Sequence, residues 1–556
     1  MEEEIIACLL DVAGVQSYIF SSNKLKENLG ASFLVKNIYT DNLSPVVKDS
    51  FDLKEFEINF WKTPPKTNNN LFSRYEKIDI CYIGGGNALL LFKTLEDYKN
   101  FIKEFTIRLL IHAPGVHIDT AYIVTSQADI EHSFGKIRKL LREQLEFNKR
   151  IYLPNIHLPR HGFTASCPRT GLSSEILVKQ GEFEALSSVC ATKINYAQSP
   201  AFDNEFKTLL AKIHLKLNLP PSKRALKFTD DIEKLGQQEG DNNFISVVHI
   251  DGNDVGALFE KQFKNKSFIP ARHLSIDLSQ KTEDSFTDLL EVIIKDEKEC
   301  LISEKNFQEN TLPIRPIIIG GDDITFVCPG KLGIYFAEKF LEIFKNQTST
   351  LPTGSISACA GIAIAKTKYP FFRAYKIAEA LCDNAKKMRI QTKDQGAWLD
   401  FHVIEAAKTG DLDQIRENYY QTPSGKLYMK PYPLKNSNRS LLKKVSFMSI
   451  KKMAWNLKNL PKNKRMDIAQ VLFENENEQD KFINHMEFRR YSLPLPDAAV
   501  KSFFQTAINS VEGAYSKETY FLDLLELIEF YPNDHLKTYQ AQTKEDSEEV
   551  HHEIDT

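Results

Sequence analysis

Apolar runs of strand length alternate with helix-compatible stretches along this 556-residue chain, and the same order occurs twice. A strand-like run carrying Asp11 opens the first copy, and one carrying Asp251 opens the second. In each copy a β-rich segment interrupted by glycines follows about 70 residues later, and a further strand follows about 30 residues after that. The glycine-interrupted segments are residues 80–92 and 317–328. An order repeated in this way predicts two copies of one α/β unit.

The glycines of both segments lie between two β-rich runs. This arrangement predicts a β-hairpin, because glycine adopts the positive φ that tight turns require. The tip of such a hairpin faces the same edge of the sheet as the end of the neighbouring strand. In the second copy the tip reads Gly320-Gly321-Asp322-Asp323. We therefore expect Asp322 and Asp323 to converge with Asp251.

Three carboxylates at one sheet edge are candidates for a metal site. Two adjacent acids on a tight turn repel each other unless a cation neutralises them, and oxygen-only ligation suits Mg²⁺ or Mn²⁺. We predict that Asp251, Asp322 and Asp323 are the metal ligands and the catalytic residues of a two-metal site. Such a site activates an attacking hydroxyl and neutralises charge that develops on a triphosphate. The alternative is that the acids only occupy a solvent-exposed turn, where Asp is common.

Glycines and a cation around these acids predict a nucleotide site. Gly252 and Asn253 open a helix directly after a strand, where backbone N–H groups approach phosphates. Lys386, on a predicted helix over 374–389, is the cation that we expect at the triphosphate. An N-cap role for Asn253 and a solvated helix face for Lys386 are the alternatives. The candidate nucleotide-binding residues are Gly252, Asn253, Gly320, Gly321 and Lys386 and, in the first copy, Gly84, Gly85 and Gly86.

The first copy has no acids at its hairpin, which reads Gly84-Gly85-Gly86-Asn87. It retains Asp11, but a single carboxylate binds a metal weakly. We expect this half to have lost catalysis. It either binds a nucleotide or serves only as structure.

A basic stretch runs from Lys426 to Arg465, with twelve Lys or Arg residues and no acid. Because the net charge of the whole chain is −3, any contact with nucleic acid must come from such a local patch. Interleaved aromatic residues are typical of a surface that contacts nucleic acid or a partner protein. The candidate contact residues are Lys443, Lys444, Lys451 and Lys452, and a generic basic helix face is the alternative.

Cysteine usage and the N-terminus bear on the compartment. The eight cysteines are scattered without a C-x-x-C pair, which predicts buried free thiols in a reducing cytosol and no zinc site. The first residues are acidic before a short apolar stretch, which is the wrong charge order for a secretory signal. No apolar run approaches the ~18 residues of a membrane span. We predict a cytoplasmic protein without membrane contact.

Six motifs follow one another along the chain. They are DVAGVQSYIF, LKENLGAS, GGGN, HIDGNDVG, GGDD and SACAGIAIAKTKYPFFRAYKIAEALCDNAKK. In this order they resemble the large polymerase-like subunit of type III CRISPR effector complexes. The resemblance covers roughly residues 1–130 and 241–400, and more weakly the rest of the chain. The GGDD motif alone would also suit diguanylate cyclases.

The resemblance implies an α+β fold, with two ferredoxin-like palm domains packed face to face and ATP held between them. The palms are joined by helical regions. The resemblance implies a degenerate first palm at 1–130 and a catalytic second palm at 241–400. The residue pattern predicts a mostly helical intervening domain at 131–240, a helical C-terminal domain at 401–540 and an acidic disordered tail at 541–556.

The resemblance also implies an activity and partners. In that family the second palm, here with Asp322 and Asp323, converts ATP into cyclic oligoadenylate messengers when the guide RNA of the complex pairs with foreign RNA. Asp251 matches the strand acid of the family. Some relatives are expected to attach AMP to another small acceptor, such as S-adenosylmethionine. The implied partners are the other subunits of the complex, guide RNA, target RNA and ATP.

Three features depart from the family pattern. The family often begins with an HD nuclease domain, whereas this chain starts almost at the first palm's strand and has no His-Asp dipeptide, so we expect no DNA cleavage. Many members carry four zinc-binding cysteines between the palms, whereas this interval has only Cys167 and Cys190. The strand motif usually has a second acid where this chain has Asn253, with Asp254 one place on, which weakens the case for a second metal.

The primary hypothesis is a metal-dependent enzyme that transfers AMP from ATP to an acceptor hydroxyl and releases pyrophosphate. The competing hypothesis is a non-catalytic, RNA-binding scaffold subunit of the complex. A third is a GTP-using cyclase of the GGDEF type, which usually works as a homodimer of single catalytic units. Retention of the acids in one copy favours the enzyme, and duplication within one chain argues against the GGDEF type.

Overall fold

The first repeated unit is an antiparallel sheet whose strands are connected by helices. In the computed structural model, its strands are β1 (Glu4–Ala13), β2 (Ile78–Gly84), β3 (Asn87–Phe92) and β4 (His117–Ser126), in the order β2-β3-β1-β4. Its helices are α1 (Val15–Ile19), α2 (Leu25–Lys36) and α3 (Ile38–Phe51) between β1 and β2, and α4 (Leu95–His112) between β3 and β4. This βαββαβ order is the ferredoxin-like topology.

The structure describes most of the chain, in twelve ranges. They are residues 4–62, 71–151, 162–180, 182–218, 226–231, 235, 243–263, 267–296, 311–435, 445–496, 501–508 and 515–536. The acidic tail predicted at 541–556 lies outside them.

The described residues of the interval between the palms form four helices and a β-hairpin, and we did not predict the hairpin. Its elements are α5 (Gln127–His132), α6 (Phe134–Ile151), β5 (Ile176–Gln180), β6 (Glu182–Leu186), α7 (Ser188–Ala197) and α8 (Pro200–Leu217). Ser187 and Ser199 start the last two helices, because their hydroxyls accept the N–H groups of Cys190 and Phe202.

Helix α7 braces the first palm at a close crossing. It meets α2 at Gly30, where any Cβ would overlap the carbonyl oxygen of Lys193. The buried ammonium of Lys193 donates hydrogen bonds to the carbonyl of Tyr18 at 2.6 Å and to the hydroxyl of Ser21 at 2.7 Å. The interval between the palms therefore supports α1 and α2 directly.

The second repeated unit has the same topology with two additional strands. Its elements are β7 (Phe244–Gly252), α9 (Val255–Phe263), α10 (Ile269–Lys295), β8 (Arg315–Gly320), β9 (Asp323–Pro329), α11 (Gly333–Thr348), β10 (Ala358–Lys366), α12 (Phe371–Gln391) and β11 (Trp398–Val403). The order β10-β7-β9-β8 reproduces that of the first sheet. Strand β11 adds in parallel to β10, because α12 forms the crossover between them.

The region after residue 403 is less purely helical than predicted. Its helices are α13 (Leu412–Tyr419), α14 (Phe447–Lys458), α15 (Lys462–Val471), α16 (Glu476–Phe488) and α17 (Phe521–Phe530), and its strands are β12 (Gln421–Thr422), β13 (Gly425–Lys426), β14 (Tyr432–Pro433), β15 (Gln505–Ile508) and β16 (Tyr515–Glu518). Strand β14 extends the second palm's sheet, and the other four form a small separate sheet. Strands of two to four residues leave too short an alternation to be read in a sequence.

The two largest apolar cores among the described residues join these parts. One lies between the palms and combines side chains from both sheets, among them Ile80 and Val247. There Phe20 of the first palm stacks on Tyr375 of α12, with ring centroids 3.6 Å apart. The other lies between the second palm and the C-terminal helices, and includes Phe521. Among the described residues, no helix is long and apolar enough to cross a membrane.

Candidate active site

The acidic centre of the second palm is built on two neighbouring strands. Asp251 near the end of β7 and Asp323 at the start of β9 are directly opposite partners in the antiparallel ladder. Gly321 and Asp322 form the two-residue turn between β8 and β9, and Gly321 has φ +60°. A side chain is rarely found at that φ, so the turn requires glycine there. The structure therefore brings the three predicted carboxylates to one sheet edge.

Gly252 is packed against this turn. Its N–H donates to the carbonyl of Asp322 at 3.1 Å. A Cβ at this position would lie 2.9 Å from the Cβ of Asp322 and 2.8 Å from a methyl group of Val255. The role that the structure gives to Gly252 is the close approach of β7 to the turn formed by Gly321 and Asp322.

Lys386 of α12 reaches the acidic centre. Its ammonium donates to Oδ2 of Asp251 and, at 3.2 Å, to the carbonyl of Gly252. Burial alone would lower the pKa of Lys386, but attraction by the Asp251 carboxylate outweighs it and raises the pKa. Lys386 is therefore a cation held against the first of the three carboxylates.

Asp322 and Asp323 are poorly suited to carry charge by themselves. Burial and the neighbouring Asp251 raise the pKa of Asp322 to about 7 and that of Asp323 to about 8. Oδ1 of Asp323 is buried without a hydrogen-bond partner. The nearby His249 bonds to the Thr325 hydroxyl at 3.1 Å, and burial lowers its pKa, so it supplies no compensating positive charge. Lys386 attracts both carboxylates, but it offsets the effects of burial and of Asp251 only in part.

The donor set at this edge agrees with a hard divalent cation. All three candidate ligands are carboxylates, as Mg²⁺ and Mn²⁺ prefer, and one of their buried oxygens is unsatisfied. In the part of the chain that the structure describes, however, no three His, Cys, Asp or Glu side chains are gathered closely enough to hold an ion. Asp251 is instead engaged by Lys386. The three side chains are of the type that binds such a metal, but they are not gathered around one point.

A cavity of about 1360 Å³ lies above the acids and is shared by both palms. Single-ligand pockets are typically ~300–1,000 Å³, so this space exceeds the need of one nucleotide. Among the predicted site residues, those that line it are Asp251, Asp322, Asp323, Gly320 and Gly321 of the second palm and Gly84, Gly85 and Gly86 of the first.

The first palm has the same strand pairing as the second but lacks its acidic centre. Asp11 of β1 is paired with Asn87 of β3 in the ladder position that Asp251 and Asp323 occupy in the second palm. Its carboxylate accepts a hydrogen bond from Lys149 at 2.9 Å. An amide and an ion pair therefore replace the acidic centre.

Two predicted assignments are wrong. The Asn253 side chain is buried and donates to the Ser357 hydroxyl at 2.9 Å, so it holds a loop and does not face the cavity. Lys451 is buried in an ion pair with Glu338 and is not a surface contact.

The other basic candidates divide by position. Lys452 is exposed. Lys443 and Lys444 lie outside the described residues. Cys300 also lies outside them, and the seven described cysteines are buried and free, as expected.

Two helices contribute cavity residues that our sequence analysis missed. On α10 they are Ser275, Ser279 and Glu283, and on α12 they are Tyr375, Lys376 and Glu379. The spacing of four residues between polar side chains on α10 was the available signal, since it places them on one helix face. A solvent-exposed stripe has the same spacing, so the signal could not identify a cavity.

Comparison with known proteins agrees with this architecture. Residues 244–397 match the family model of the Cas10/Cmr2 second palm domain. No curated protein sequence matches the chain at a significant level.

Similar solved structures come from Csm1-Csm4 assemblies. A Csm1-Csm4 cassette in complex with pppApApA has 13% identity and a TM-score of 0.50, with 95% of this chain and 70% of that chain covered. A cassette in complex with cA4 has 13% identity and a TM-score of 0.42, with 69% and 53% covered. The Csm1-Csm4 subcomplex of the type III-A CRISPR-Csm interference complex has 13% identity and a TM-score of 0.48, with 90% and 67% covered.

The matched part spans about half of the cA4-bound relative, 53% of its length. At this identity, the likeness concerns the fold alone. The family model covers the acidic centre itself, from Asp251 to Asp323. Residues 244–397 are thus a second palm domain of the Cas10/Cmr2 type, and the chain has the two-palm fold of a Cas10-like subunit.

Proposed function

We propose that the second palm transfers AMP from ATP to an acceptor and releases pyrophosphate, making a nucleotide second messenger. The observation that carries the proposal is the cross-strand pair of Asp251 and Asp323, with Asp322 on the adjoining turn, at the floor of a cavity between two palms. The product is a cyclic oligoadenylate or AMP joined to another acceptor such as S-adenosylmethionine. A cavity larger than one nucleotide supports a reaction between two substrates.

The three acids would hold Mg²⁺ or Mn²⁺, which neutralises the triphosphate and activates the attacking hydroxyl. The raised pKa values of Asp322 and Asp323 mean that these groups ionise fully only when positive charge is near. Lys386 orients Asp251 through its hydrogen bond to Oδ2. The glycines of both hairpins leave room for the phosphates, because no side chain projects from them into the cavity.

We further propose that the chain acts as a subunit of an RNA-guided type III CRISPR complex, with activity switched on by target RNA. The Csm1 relatives named above were solved with Csm4, which supports a partner subunit here. Exposed basic residues such as Lys452 are candidates for contact with RNA or a partner.

The test is to incubate the protein, alone and with co-expressed partners and guide-matched RNA, with labelled ATP and Mg²⁺ or Mn²⁺. A parallel reaction contains S-adenosylmethionine. The Asp322→Asn/Asp323→Asn variant is compared with Asp480→Asn, an exposed acid on α16. We expect an adenylate product, identified by mass spectrometry, that only the first variant loses. Absence of product and pyrophosphate under every condition, with RNA binding intact, would instead identify a scaffold.

A further inference from the structure

Helix α10 contacts the glycine hairpins of both palms. Near its start, the buried Arg272 donates to the carbonyls of Cys81 at 2.7 Å and Ile80 at 2.6 Å, in the strand that leads to the first hairpin. One helical turn later, the Ser275 hydroxyl lies only 2.5 Å from the position that a Cβ on Gly84 would take. Two helical turns further along α10, Thr282 contacts the β-turn formed by Gly321 and Asp322, which we call the catalytic turn.

Thr282 is fully buried, with no exposed surface. Its hydroxyl contacts two carbonyls, those of Gly321 in the catalytic turn and of Leu278 in its own helix, the latter at 3.0 Å. A hydroxyl has one proton to donate, and the contact with Gly321 is the shorter one. The side chain therefore donates to the catalytic turn.

This bond completes a set of restraints on Asp322. The carbonyl of Gly321 belongs to the peptide unit that precedes Asp322, and Thr282 holds it. The carbonyl of Asp322 belongs to the unit that follows, and the N–H of Gly252 holds that one. Both peptide planes that flank the carboxylate are thus fixed from outside the turn, one by α10 and the other by β7.

We infer that Thr282 is a positioning residue that holds the Asp322 carboxylate in its reactive place. The inference rests on the proposed adenylate transfer. Two consecutive glycines leave the turn with little conformational restraint of its own, so an external hydrogen bond decides where the carboxylate lies. A displacement of about 1 Å at a reacting centre costs a rate factor of about 100.

The test compares three substitutions in the full chain with its partners. Thr282→Val keeps the shape and removes the donor, and Thr282→Ser keeps the donor. Thr287→Val is the matched control, because Thr287 is a buried threonine on the same helix whose hydroxyl bonds to the carbonyl of Glu283 at 2.9 Å. The readouts are kcat and KM for ATP, and amide hydrogen exchange in peptides covering residues 317–326.

For Thr282→Val we expect kcat to fall by about tenfold and KM for ATP to change little. A tenfold loss corresponds to about 1.4 kcal/mol, which is the free energy typically lost with one hydrogen bond. Exchange in the 317–326 peptides should quicken. Thr282→Ser should restore both, and Thr287→Val should change neither.

The inference fails if Thr282→Val keeps the kcat of the unaltered protein, or if Thr287→Val loses as much. If the unaltered protein makes no adenylate product at all, the proposed function fails. The exchange measurement then still decides the positioning role, because unchanged exchange at the turn in Thr282→Val overturns it.

Discussion

Asp251 and Asp323 face each other across the β7–β9 ladder, and Asp11 and Asn87 face each other at the same place in the first palm. The two palms therefore share one strand register, and the first palm has one acid fewer at this pair. The two pairs have the same position in their sheets but differ in charge. Substitutions in the first palm can therefore serve as controls for substitutions in the second.

We predict that Asp251→Asn lowers the rate of adenylate formation by a factor of about 10²–10³ and that Asp11→Asn retains most of the rate. Asp251 lines the cavity and faces Asp323, whereas Asp11 is not among the residues that line the cavity and faces the neutral Asn87. Loss of a group that stabilises transition-state charge typically costs a factor of about 10²–10³ in kcat. Initial rates of pyrophosphate release measure both variants. Equal losses in the two variants would contradict the assignment of catalysis to the second palm.

We predict that Asp323→Asn raises the melting temperature in the absence of metal. The pKa of Asp323 is about 8 in the folded protein, against an ordinary value of 3.8, because of burial and the nearby Asp251. Between these two values the folded state binds more protons than the unfolded state, so the stability of the unaltered protein falls as pH rises, by at most about 1.4 kcal/mol per pH unit.

The advantage of Asp323→Asn should therefore grow from pH 4 to pH 8 in thermal melts with EDTA. Asp480→Asn on exposed α16 serves as the control and should follow the unaltered protein. Addition of Mn²⁺ should stabilise the unaltered protein more than Asp323→Asn. If Asp323→Asn melts at a lower temperature than the unaltered protein at pH 8, the ionised Asp323 carboxylate does not destabilise the folded state.

We predict that Gly252→Ala reduces adenylate formation by about tenfold or more, since small displacements at a reacting centre are costly. The added methyl group would lie 2.9 Å from the Cβ of Asp322 and push the turn away. Gly256→Ala is the matched control, four residues later in α9, because nothing lies within 4 Å of its added Cβ. Assays at saturating ATP compare the two. Full activity in Gly252→Ala would mean that the turn tolerates displacement.

We predict that Arg416→Met destabilises the protein by about 3–5 kcal/mol, the cost of leaving a buried carboxylate unpaired. Arg416 forms two hydrogen bonds with the fully buried Asp400 of β11, at 2.7 and 2.9 Å. Urea unfolding measures the change in free energy. Adding Asp400→Leu should recover most of the loss, because the pair is then removed as a whole. A double variant as unstable as Arg416→Met would show that its packing matters more than its charge.

The sequence was sufficient for features whose signal is local. A few neighbouring residues were enough to predict the strand with Asp251 and the hairpin at Gly320–Asp323. The repeat indicated that the two lie at the same edge of the sheet. Asn253 was misjudged because its partner Ser357 is 104 residues away. Lys451 was misjudged because Glu338, which neutralises it, belongs to a helix 113 residues earlier. Polar residues take their meaning from such distant partners, and one sequence does not reveal them.

The crossing of α2 and α7 at Gly30 has a consequence for protein engineering. Because the two backbones touch there, the first palm and residues 188–197 have to be exchanged together in any chimaera with a relative. A graft that ends at residue 130 would leave α2 without its brace and Tyr18 without the bond from Lys193. The unit that can be transplanted is therefore longer than the repeat, and its natural boundary lies after α7.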